Sequence, residues 1–194
     1  PGRVLTYQLG PFCVEEISND KLNVELLLKK GLLPGIFLEP DEEIWQKTLR
    51  SYAVTYLKEE IQAESLTRNL EGFSRFFNVI ASRSGDFLDF SKIASQAEIE
   101  RTSARRYVEI LEDTLIVNTV EAFTKSTKRR LIQHPKFYFF DVGVLNGCLN
   151  NFEVSQDRIG YLLEHLVIQL ILSSFKGQDI EPMISTYRTE AGSE

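Results

Sequence analysis

The chain has little that would mark a secreted, metal-binding or membrane protein. Its two cysteines, Cys13 and Cys148, lie far apart in 194 residues, and it has two histidines. No CxxC spacing occurs, so neither a zinc site nor a disulfide framework is indicated, and both thiols read as free side chains of a reducing compartment. No apolar run approaches the ~20 residues of a membrane span, and no signal peptide is visible. A basic balance is also missing: 28 acidic residues against 22 basic give a net charge of −6. That excludes a whole-surface polyanion binder while leaving room for a local basic patch. There is no G-x-x-x-x-G-K-[ST], so this chain cannot hydrolyse ATP by itself. The expectation is a soluble, cytoplasmic protein with no catalytic residues of its own.

What is present reads as a packed α+β chain, mostly helical. Hydrophobic residues at 43% and charged residues at 26% suit an ordinary core. Residues 4–9 look extended and Pro11 ends them. Lys21 to Lys30 carries Leu22, Leu26 and Leu27 as an amphipathic helix, stopped by Gly31 and Pro34. From Asp41, Trp45, Leu49, Tyr52 and Tyr56 recur at helical spacing, joined by Leu57 and Ile61. A further helix over 66–82 buries Leu70, Phe73, Phe76, Phe77 and Ile80. These aromatics could be imagined as a base-stacking surface, but their helical spacing assigns them to the core.

The segment from 83 to 135 has the clearest local logic. Asp89 caps a short helix, and Leu88 staples against Ile93. Phe90, Ile93, Ala94 and Ala97 face inward. A break at Glu98 to Glu100 leads to a second helix, 101–113, with the apolar stripe Ala104, Tyr107, Val108, Leu111 and Leu115. Two short helices across so tight a turn form a helix-turn-helix. Extended stretches at 116–123 and 131–132 flank the polar loop "TKSTKRR", which together spell a winged helix. Thr102, Arg105, Arg106 and Glu109 fall opposite the stripe, with Arg101 at its edge. The loop adds Lys125, Lys128, Arg129 and Arg130, and Lys136 follows. Such a cluster fits duplex DNA. A solvated polar face, or a platform for a partner protein, fits the same residues, and Glu109 would repel phosphate.

Beyond it, Phe137 to Phe140 reads as a buried strand ending at Asp141. "DVGVLNGCL" turns into a helix. Residues 159–175 form another, apolar around most of its circumference: Leu162, Leu163, Leu166, Val167, Leu170, Ile171. Glu164, with His165 beside it, is either a solvent-reaching carboxylate or a metal ligand. The ending "YRTEAGSE" looks like the first half of a hairpin, and the opening Pro1-Gly2-Arg3 runs into a strand without a partner. The expectation is an internal piece of a longer protein. A helix 159–175 deprived of its covering sheet would self-associate through Leu162, Leu166, Leu170 and Ile171, with the strand around Ile184.

Six stretches in register, "PGRV…L-x-P-F…E", "SYAVTYLKEEI", "KIASQAEIERTSARRYVEILEDTLIV", "KFYFFDVGVLN", "GYLLEHLV" and "YRTEAGSE", resemble the C-terminal part of prokaryotic AAA-type P-loop ATPases that carry a domain of unknown function. The resemblance implies four portions: the closing strand of an ATPase domain (1–20), a helical segment (21–82), a winged helix (83–135) and an incomplete α/β, restriction-endonuclease-like portion (136–194). It implies ATP and Mg²⁺ as cofactors of the parent and none in this chain, with the missing ATPase domain as a partner. Arg3 could approach nucleotide there or serve the strand entry alone. Glu164 matches the family's helix-borne acid. The aspartate and the Glu-x-Lys pair that complete such a nuclease site would follow Glu194. Glu164 is then a vestigial metal candidate, and one carboxylate cannot hold a catalytic Mg²⁺. The implied role is non-catalytic: binding duplex DNA and coupling or regulating the ATPase. The alternatives are a protein-interaction or oligomerisation module, and a nuclease remnant that acts only in the parent.

Overall fold

The computed structural model describes residues 9–18, 22–55, 69–123, 134–178, 180 and 182–187. Among these the protein is mostly helical, with one small antiparallel sheet, an α+β architecture. In order come α1 (Val24–Lys30), α2 (Pro34–Phe37), α3 (Glu42–Thr55), α4 (Leu70–Ser82), α5 (Phe90–Ala97), α6 (Arg101–Asp113), β1 (Val117–Val120), β2 (Lys136–Phe139), α7 (Val142–Leu149) and α8 (Ile159–Gly177). The expected opening strand and the residues Tyr56, Leu57 and Ile61 lie outside the described residues.

The packing is organised around α7, which touches α1, α3, α4, α8 and β2. Gly143 and Gly147, four positions apart, present bare backbone. A Cβ on Gly143 would collide with the Lys30 carbonyl, and one on Gly147 with that of Leu49. Asp141 caps the helix and reaches beyond it. One oxygen accepts the Val144 amide at 2.9 Å; the other accepts the Leu32 amide and the Gln169 side chain, both at 2.8 Å. Burial pushes the Asp141 carboxyl up, opposed by those donors. Asn146 donates to the carbonyls of Leu28 (2.8 Å) and Lys29 (3.0 Å). The "DVGVLNG" motif therefore docks one helix onto the end of another. Lys30 is itself buried and donates to the carbonyls of Phe37 and Glu39, closing α2.

One core runs from Trp45 and Leu49 through Phe73, Phe76, Phe77 and Ile80 to Leu111, Phe137, Phe139 and Leu145. The aromatics of α4 are core residues and offer no stacking platform. A second cluster joins Leu27, Leu28, Leu32, Val142, Leu162 and Leu166. Four side chains read as inward are exposed instead. Leu22 lies ahead of α1, Leu26 yields its place to Leu28, Leu70 stands at the first turn of α4, and Leu115 leaves the α6 stripe. The helix ends at Asp113 with Thr114 as its cap, and Leu115 beyond it takes φ 62°. The amides of Leu115 and Ile116 turn back to the carbonyls of Glu112 and Leu111, both at 2.9 Å, and Ile116 fills the core position. This is a Schellman ending with leucine where glycine is usual.

The sheet adds a pairing that was not expected. β1 pairs with β2 in the antiparallel register Val117↔Phe139 to Val120↔Lys136, so residues 136–139 belong to the same hairpin as β1. Residues 131–132 lie outside the described residues. The segment before α5 joins the other side of β2. Leu88 donates to Pro135, Gly85 to Phe137, and Phe137 to Asp86. After β1, Ala122 forms an isolated parallel bridge with Thr186.

Helix α8 is inside out. Its buried residues include His165, Gln169 and Ser173 as well as Leu162 and Leu166. Its exposed residues include Ile159, Leu163, Val167, Ile171 and Phe175. Leu162 and Leu166, expected at a contact with another copy, are covered by α1 and Val142, and Leu170 is packed against the same cluster.

Candidate nucleic-acid interface

The helix-turn-helix is fixed from both ends. Asp89 accepts the amides of Ser91 and Lys92 at 3.0 Å each, which hold its carboxyl below the usual range, Lys92 contributing most. Leu88 and Ile93 are both fully buried, as a hydrophobic staple requires. At the turn Glu98 adopts φ 53°, and the amide of Ile99 returns to Ala94 at 3.0 Å. Arg75, reaching from α4, donates to the carbonyls of Ala97 (3.0 Å) and Glu98 (3.3 Å) and pairs with Glu71 at 2.7 Å. A cation on these carbonyls satisfies the end of α5 and fixes where α6 begins.

On α6, Ala104, Tyr107, Val108, Ile110 and Leu111 are buried, while Arg101, Thr102, Arg105, Arg106 and Glu109 are exposed. Ile110 was hidden from the periodic reading because it flanks the stripe. Arg105 lies over the Phe90 ring at 5.2 Å, which orients its guanidinium along the face. Lys125, Lys128, Arg129 and Arg130 lie outside the described residues. The chain that carries them leaves β1 at Val120 and returns at Lys136, beside Phe87 and the entry to α5. Both anchors of the basic segment thus belong to the sheet that borders the helix pair.

Lys136 is withdrawn from the basic set. It is 7% exposed, its Nζ stands 5.4 Å from the Phe87 ring centre, and it pairs with Glu164 at 3.1 Å. Tyr138 donates to the same Glu164 oxygen at 2.7 Å. Partial burial works to raise the Glu164 carboxyl, but Tyr138 and Lys136 together hold it below its usual range. An ammonium and a phenol thus stand where a cation ligand set would need further carboxylates. Among the described residues no group of three or more His, Cys, Asp or Glu gathers as a metal centre.

His165 points the other way. Its Nδ1 faces the Tyr161 carbonyl at 3.1 Å, which can only accept, so that nitrogen carries the proton. Nε2 then accepts the Ser84 hydroxyl at 2.6 Å, and Ser84 Oγ accepts the Phe139 amide at 3.1 Å. Such a pairing has the form of a nucleophilic dyad. Both residues are 2% exposed, so substrate has no access, and the pair serves to tie α8 to β2. Nothing in the sequence signals that Ser84 is its partner, because 81 positions separate them.

The class these observations define is a mostly helical α+β protein in which two short helices, α5 and α6, meet across a tight turn. Residues 22–155 match the family described as "Domain of unknown function (DUF8612)", more than half of the chain, which therefore belongs to that family. Two mycobacterial relatives are the "Uncharacterized protein Rv2008c" of Mycobacterium tuberculosis (strain ATCC 25618 / H37Rv) and the "Uncharacterized protein Mb2031c" of Mycobacterium bovis (strain ATCC BAA-935 / AF2122/97). Each is 23% identical over 180 residues, covering 87% of this chain and 40% of the relative. The chain thus spans two fifths of their length. No solved structure matches it significantly.

Proposed function

We propose that α5, the turn and α6, with the basic segment around Lys125, Lys128, Arg129 and Arg130, form a winged helix that binds duplex DNA for a longer, cytoplasmic ATPase-type protein. One observation carries this reading. In α6 the exposed cations Arg101, Arg105 and Arg106 occupy the N-terminal half, and Glu109, Glu112 and Asp113 the C-terminal half. A helix is stabilised by the opposite arrangement, so Arg101 in the first turn and Glu112 and Asp113 in the last each cost about 0.3–1 kcal/mol, while Glu100 at the N-cap offsets part of it. A sequence that keeps such a conflict has a use for arginines on this outward face, and phosphate is the ligand that suits them. Thr102 adds a hydroxyl donor on the same face. The AAA resemblance and the greater length of the relatives support an accessory, non-catalytic role beside an ATPase domain that brings ATP and Mg²⁺. The engagement of Glu164 by Lys136 and Tyr138 speaks against a nuclease remnant.

Fluorescence anisotropy on a labelled duplex across a salt series tests the proposal. Wild-type affinity falls with a log–log slope of about −0.9 per neutralised phosphate. Reversing Lys128, Arg129 and Arg130 to glutamate, or Arg101 and Arg105 to glutamate, removes binding without changing the thermal melt. Equal affinity for wild type and both variants sinks the idea. A protein-interaction role is favoured separately by the outward face of α8.

A further inference from the structure

We infer that the outward ridge of α8, formed by Ile159, Leu163, Val167, Ile171 and Phe175, is the contact through which two copies of this chain associate about a two-fold axis. The ridge is 49, 45, 45, 37 and 36% exposed in that order, although every member is a large apolar side chain. Its residues follow one another at intervals of four, the spacing of a continuous helix ridge. Three polar residues of the same helix, His165, Gln169 and Ser173, are turned inward and bonded or covered there. That inversion distinguishes this face from the scattered apolar residues of an ordinary surface.

The exposed area matches a dimer contact. At two fifths exposure each ridge side chain leaves roughly 80 Å² uncovered. Ile180, whose amide donates to Phe175 and which is 47% exposed, extends the strip. The whole amounts to about 500 Å² of apolar surface. A standard interface takes ~800 Å² from each partner, of which about 57–65% is apolar, so the requirement is roughly 450–520 Å². A ridge of this kind is its own complement. Two of them lie side by side when the helices cross near −50°, and a two-fold axis at Val167 brings the middles together. A bilayer is the poorer occupant. The Gln169 bonds to Asp141 and Val142 hold the inner face of α8 in protein, so the helix cannot leave to span a membrane. Interfacial binding needs a basic rim, and the charged residues beside the ridge are Asp157 and Glu164, while Lys176 turns inward to donate to Asn118 at 3.2 Å.

Sedimentation velocity of the 194-residue chain across the micromolar range is the experiment. Wild type sediments as a dimer, and Val167→Glu raises the dissociation constant on the order of a hundredfold or more, because two charges would be buried face to face. A second measurement is independent of that variant's folding. In a Cys13→Ser background, Val167→Cys forms a disulfide-linked dimer on mild oxidation, and Ile159→Cys, at the far end of the ridge, does not. A monomeric wild type overturns the proposal, as does a dimer that survives Val167→Glu with no Val167→Cys cross-link. So does a monomer that instead co-sediments with phosphatidylcholine–phosphatidylserine vesicles. None of these outcomes bears on DNA binding by α6, which is read from other residues.

Discussion

Helices α7 and α8 are both rich in apolar residues, yet the protein treats them in opposite ways. α7 is enclosed on all sides; six of its eight residues are buried, and its glycines admit neighbouring backbone directly. α8 turns one face in and leaves the other out, and its inward face is the more polar of the two. Apolar content alone therefore does not report burial. What separates the two helices is the residues that interrupt the apolar ones. In α7 these are glycines and an asparagine that complete a neighbour's backbone. In α8 they are His165, Gln169 and Ser173, each at a point where buried protein supplies or needs a polar partner.

The contrast can be broken most severely at a glycine. Gly143→Ala places a methyl on the Lys30 carbonyl, which is backbone and cannot swing aside. Loss of cooperative unfolding, or destabilisation by about 4 kcal/mol or more, is expected in chemical denaturation. A variant that melts like wild type would show that α7 is not seated directly on α1.

Next in size is the inner face of α8. Burial depresses His165 from 6.5 to about 4, with the Tyr161 carbonyl and Glu164 opposing the shift. The unfolded chain then takes up a proton first as pH falls. The stability contributed by a neutral His165 is complete above pH 6.5 and is lost on the way down to about pH 4. The loss is about 3 kcal/mol. Denaturant midpoints measured along this range for wild type and His165→Asn should converge as the pH drops. Parallel curves would mean that the imidazole does not titrate across folding.

The smallest effect belongs to the outer face. Nothing lies within 4 Å of a Cβ built on Gly160. Gly160→Ala should raise stability by about 0.5–1 kcal/mol through the entropy of the unfolded chain. A clear destabilisation there would mean that the proposed contact between copies extends along the ridge to Gly160.

Legibility in the sequence followed the range of the interactions involved. The phase of α6 could be read because Ala104, Tyr107, Val108 and Leu111 repeat within one element, and the Asp89 cap because its donors are two and three residues away. Leu115 was misplaced because periodicity carries no stop signal where leucine takes the left-handed position. The pairing of β1 with Lys136–Phe139 was not legible for a different reason. Strand pairing is a tertiary choice, and this stretch looked like the start of a separate unit. The pairing of Lys136 with Glu164 removed one cation from the basic set and gave the acid a partner within the chain. Neither residue signals the other across 28 positions. In α8 the near-continuous apolar circumference hid which face would be buried, and only the partners of His165 and Gln169 decide it.

The reach of Asp141 and Asn146 across the chain sets an order of events during synthesis. Their bonds to Leu32 and Leu28 join positions 109 and 118 residues apart. At ~5–20 residues per second, a ribosome delivers α1 roughly 5–25 s before α7 follows it out. For that interval Leu27, Leu28 and Leu32 travel without the cover that Val142, Leu162 and Leu166 give them, and an early apolar surface waits for a late one to seal it. Its safe passage depends on whatever holds an emerging chain, and it ends when a pair of glycines arrives.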